Sequence, residues 1–123
     1  LKEEFKKYGF NFSKLSENVT IDDKERGIHA EIDALLEDGG EALAVEVKIH
    51  LKAADIDEHI KRMEKIRAYA DPRGDSRKFY GAIAAAVAGE DVKTYALKQG
   101  FYVIEPSGED VTVTPPFSNR KFW

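Results

Sequence analysis

A chain of 123 residues with 42% hydrophobic content has material for one compact core and little more. Its net charge of −4 is not the basic footprint of a protein that coats nucleic acid, and the absence of cysteine excludes disulfides, thiolate metal sites and a cysteine nucleophile. No apolar run approaches the roughly 20 residues that span a bilayer and no secretory core is visible, so a soluble, cytoplasmic chain is the expectation.

Residues 1–8 read as the end of a helix, with Leu1, Phe5 and Tyr8 on one stripe and Gly9 as its stop. Opening at Leu1 on that stripe, the chain is expected to be a piece whose upstream helical part is missing. Residues 11–23 are polar, with a short strand expected only around 19–21 and a turn over 22–27. Two alternating runs follow. Ile28, Ala30, Ile32 and Ala34 alternate with His29, Glu31, Asp33 and Leu35; then Leu43, Val45, Val47 and Ile49 alternate with Ala44, Glu46 and Lys48. A two-residue turn at Gly39-Gly40, with positive φ angles, folds these runs into a hairpin.

Asp55 and Glu58 form an acidic capping box, and Ile56, Ile60, Met63, Ile66, Arg67 and Ala70 recur at helical spacing until Asp71-Pro72-Arg73-Gly74 ends the element. Residues 78–88 are a nearly unbroken apolar run, suited to a strand covered on both faces. A short helix over 91–99 closes at Gly100, a strand over 101–105 stops at Pro106, and a last strand covers 111–114. The basic residues Lys61, Arg62, Lys65 and Arg67, with Arg73, Arg77 and Lys78, read chiefly as a solvated face. Phe117, Phe122 and Trp123 read as core-edge packing or a dimer contact.

The hairpin carries the chemistry. Its register sets Asp33 opposite Glu46 and Glu31 opposite Lys48, with directly opposed Cβ atoms about 5 Å apart. Two carboxylates held this close repel each other unless a cation joins them, and Mg²⁺ takes oxygen ligands from one or two carboxylates while keeping positions for water and phosphate. A lysine on the same face can orient or deprotonate a water there. These are the parts of a phosphodiesterase. A surface hairpin with a solvated polar face is the plainer reading of the same pattern.

Asp33, followed thirteen positions later by Glu46-Val47-Lys48, in a hairpin leading to a helix and an apolar strand, resembles the PD-(D/E)xK nuclease superfamily. More narrowly, the runs from Ala30 to Lys48 and from Asp55 to Asp71 look like an uncharacterised prokaryotic group whose members often carry a helical or coiled-coil segment in front. The resemblance implies an α/β fold with a restriction-endonuclease-like αββαβ core, a mixed central sheet flanked by helices, and a single nuclease-like domain over 1–123. It implies that Asp33, Glu46 and the Val47 backbone carbonyl hold Mg²⁺, with Mn²⁺ as a substitute, and that Lys48 positions the water. Glu31 and His59 are candidates to support them, His59 from the inner stripe of the helix. Ile32 stands where many members have proline, and the acid often given by the first helix has only Glu3 and Glu4 to represent it. His29 and His50 read as bystanders, because a hard cation prefers oxygen. The implied function is a Mg²⁺-dependent nuclease acting on nucleic acid, above all DNA, with a homodimer through the missing helix as its assembly. The alternative is a weak or inactive module of that fold that binds nucleic acid or mediates assembly.

Overall fold

The computed structural model describes residues 1–117 and 121–123. Its elements follow the expected order: α1 (Lys2–Lys6), β1 (Lys14–Asp23), β2 (Ile28–Glu37), β3 (Glu41–His50), α2 (Ala53–Ala70), β4 (Lys78–Val87), α3 (Glu90–Lys98), β5 (Tyr102–Ser107) and β6 (Asp110–Thr114). The strands form one mixed sheet in sequence order, antiparallel from β1 to β3, parallel from β3 to β5, and antiparallel again to β6. Each parallel step needs a crossover, and α2 and α3 provide them on the same face of the sheet.

Two apolar layers result. Under α2 and α3, Ile56, Met63 and Ile66 pack on Ile32, Ala44 and Ile83, with Phe101 between the helices and β4. Gly81 is where β4 meets this layer most closely: a Cβ there would lie 2.5 Å from the Phe101 ring. On the other face α1 brings Phe5 edge-on to Tyr102, ring centroids 5.5 Å apart, beside Phe10, Phe12, Leu36 and Leu43. Leu36 and Leu43 are fully buried opposite each other and hold the closed end of the β2–β3 hairpin, each contributing about 1.5–3 kcal/mol.

The β2–β3 register is the expected one, Ala34 opposite Val45 through Glu37 opposite Ala42. Its turn differs from expectation: neither Gly39 nor Gly40 has a positive φ. The Asp38 carboxylate organises the bend instead, accepting from the Gly40 and Glu41 N–H groups at 2.8 and 2.7 Å. β1 is a full ten-residue strand rather than a short one around 19–21, because as a polar edge strand it needs only the β2 ladder to form. The strict alternation expected along β2 also fails. Leu35 joins Ile28, Ala30 and Ile32 in the α2 layer, while Leu36 joins the other. The break lies at Asp33, opposite Asn18, whose φ of 52° interrupts the β1–β2 ladder between Glu17 and Val19.

Smaller differences have equally local causes. Asp55 is the third residue of α2 and accepts from the Lys52 N–H at 2.9 Å, so the helix starts two residues before the expected acidic cap. Pro106 continues β5 instead of stopping it, since the β4 pairing already ends at Ile104. Gly100, at φ 94°, ends α3 as expected. Trp123 packs at the core edge, stacked on Phe101 and exchanging backbone hydrogen bonds with Phe79, whereas Phe117 and Phe122 stay more than half or half exposed.

Candidate active site

The sheet forks beside Asp33. Beyond the Ala34–Val45 pair the β2–β3 ladder stops: β2 continues with β1 as far as Ile28, and β3 continues with β4 as far as His50. Asp33 sits where the strands part, and its Oδ2 accepts from the Val47 N–H at 2.9 Å, occupying a backbone donor that the missing ladder leaves open. Glu46, the residue that the register sets opposite Asp33, is 7% exposed and faces α2. Lys48, two residues along the same face of β3, has its ammonium 3.6 Å from Asp55 at the start of α2.

The two carboxyls shift each other's protonation in opposite directions. Burial first, and then the hydrogen bond to Asp33, push the Glu46 carboxyl up to about 7, although the Arg62 guanidinium opposes this. The same hydrogen bond from Glu46 holds Asp33 below the usual carboxylate range, helped by the Val47 N–H and by the charges of Arg62 and Lys48. Below about pH 7 Glu46 therefore keeps its proton while Asp33 gives its proton up more readily, the pattern of two carboxyls placed close together.

Helix α2 completes the cluster. His59 is fully buried, its Nε2–H donates to the Ala44 carbonyl at 3.1 Å, and its Nδ1 accepts from the Arg62 guanidinium at 2.9 Å. Burial depresses the imidazole to about 4, so it stays neutral in this tautomer. The same Arg62 nitrogen lies 2.9 Å from Glu46 Oε2. His59 thus enters the site through Arg62.

Asp33, Glu46, Val47 and Lys48 are brought together as the hairpin register predicted, and His59 is adjacent. Glu31 does not meet Lys48. The ladder that would have paired them ends before reaching them, so Glu31 is exposed on the β2 arm of the fork and Lys48 pairs with Asp55. His29 and His50 are exposed and outside the cluster. Arg62 was the residue missed, read as part of a solvated face. Its signal was the stripe Asp55, His59, Arg62, at spacings of four and three, beside the apolar stripe of the same helix.

Among the described residues no three carboxylate or imidazole side chains form a ready-made metal site. The donor set nevertheless fits a hard divalent cation: two adjoining carboxyl groups, the buried one with a raised pKa in spite of Arg62, and no sulfur or free imidazole. No protein-family model, curated protein or solved structure matches the chain. Among the described residues no helix is long and apolar enough to cross a membrane.

Proposed function

We propose that this chain is a divalent-cation-dependent nuclease of the PD-(D/E)xK type, hydrolysing phosphodiester bonds in nucleic acid and most plausibly in DNA. The observation that carries this reading is the Asp33–Glu46 carboxyl pair at the sheet fork with Lys48 on the same strand face. With β1 as an added edge strand, the elements α1, β2, β3, α2 and β4, antiparallel and then parallel, support a restriction-endonuclease-like αββαβ core.

Asp33, Glu46 and the Val47 carbonyl would hold Mg²⁺ or Mn²⁺. The ion supplies Lewis-acid polarisation of the phosphoryl group and acidifies bound water. The protein's own groups do the rest. Lys48, held by Asp55, donates a hydrogen bond that orients the attacking water. Arg62, fixed by neutral His59, presents a guanidinium toward the charge that develops on the phosphoryl oxygens.

One observation favours a second reading. Arg62 already meets Glu46 at 2.9 Å and can stand in for a cation, as in a nuclease fold that binds nucleic acid without turnover. Cleavage of labelled single-stranded, duplex and branched DNA and RNA with Mg²⁺ or Mn²⁺ separates the two. Asp33→Ala and Glu46→Ala should each lower the rate at least about 10³-fold and Lys48→Ala about 10²-fold or more, with circular dichroism unchanged. Full activity in both carboxylate variants rejects the site, and a wild type that binds nucleic acid but never cleaves favours the second reading.

A further inference from the structure

Arg62 belongs to two places at once. One end of its guanidinium reaches Glu46, while its side chain also lines an open cleft of about 440 Å³ between β2 and α2. Lys61 and Lys65 line the same cleft from α2 with exposed side chains; the Lys65 ammonium donates to the His29 carbonyl at 3.2 Å, and among the described residues neither lysine has a carboxylate within 4.0 Å. Among the described residues the other arginines are committed: Arg26 and Arg73 to Asp23, Arg67 to Asp71, Arg77 to Asp75. Lys61, Arg62 and Lys65 thus form a row of basic side chains along one wall of the cleft, and Arg62 joins that row to Glu46.

We propose that this cleft is the substrate channel, taking the sugar-phosphate of one nucleic-acid strand, with Lys61 and Lys65 on successive phosphates and Arg62 on the phosphate nearest Glu46. This rests on reading the site as a phosphodiesterase. The cleft volume lies within the roughly 300–1,000 Å³ of ligand-sized pockets, room for a nucleotide unit of one strand. Phosphates are the ligands that two flexible ammonium groups and a forked guanidinium recognise together. Glu31 from β2 and Glu58 from α2 also line the cleft and leave the phosphates to the three basic side chains. His59 is a positioning residue here: its lone pair at Nδ1 holds Arg62 in the orientation that serves both cleft and carboxyls.

The test is steady-state cleavage of a labelled single-stranded oligonucleotide with Mg²⁺, over a range of substrate and salt concentrations. The double variant Lys61→Ala/Lys65→Ala is compared with a control pair, Lys7→Ala/Lys98→Ala, on exposed positions away from the cleft. The cleft variant should raise KM about tenfold or more, keep kcat within about twofold, and reduce the slope of log KM against log salt by about 1 to 1.5, while the control leaves all three unchanged. Unchanged KM and slope in the cleft variant, or equal shifts in both pairs, overturn the channel and leave the nuclease reading standing. A wild type that neither binds nor cleaves any oligonucleotide overturns both.

Discussion

At the residue scale the decisive fact is that burial, which penalises the charged form, raises the pKa of Glu46 and lowers that of His59, with Arg62 bridging the two. Glu46 has its pKa raised from 4.5 to about 7, so the unfolded chain ionises first as the pH rises. Without divalent cation, wild type should lose stability relative to Glu46→Gln between about pH 4.5 and 7 and run parallel to it above that range. His59 has its pKa lowered from 6.5 to about 4, and its contribution is complete above 6.5 and lost as the pH falls toward 4. Relative to His59→Asn, wild type should therefore weaken over that acid window. Urea unfolding at half-unit pH steps measures both differences. A flat difference between wild type and Glu46→Gln would mean that the carboxyl is an ordinary exposed acid.

At the element scale the site exists because β2 and β3 pair at one end and part at the other. The closed end was legible in the sequence, since alternating apolar residues around two glycines fix a register and with it the pairing of Asp33 and Glu46. The fork was not legible. It depends on β1 and β4 each holding one arm of the hairpin, and β1 is an edge strand whose polar residues carry no periodic signal. Arg62 escaped for a related reason: a charged residue on an amphipathic helix reads as solvated until the opposite strand is known to carry a buried carboxylate. Asn18 of β1 interrupts the ladder to β2 beside Asp33, and its left-handed φ suits glycine better than a branched side chain. Asn18→Gly should change stability by no more than a few tenths of a kcal/mol, while Asn18→Val should cost about 1–2 kcal/mol and lower cleavage with it. Gly81→Ala probes the other arm. Its new methyl would meet the Phe101 ring, and a loss of about 1–3 kcal/mol in urea unfolding is expected.

At the scale of the whole molecule, the helices α2 and α3 cover one face of the sheet and the aromatic cluster with α1 the other, so the fork is left between two packed layers. The carboxyl pair is then kept from free solvent without being sealed. That environment makes the Glu46 proton and cation binding competing solutions to the same repulsion. Calorimetric titration of Mg²⁺ into the metal-free protein, repeated at pH 6 in buffers of different ionisation enthalpy, measures that competition directly. The account predicts saturable binding with release approaching one proton per ion, declining as the pH passes about 7, and no binding to Asp33→Asn. Binding with no proton released, or equal binding by Asp33→Asn, would contradict it.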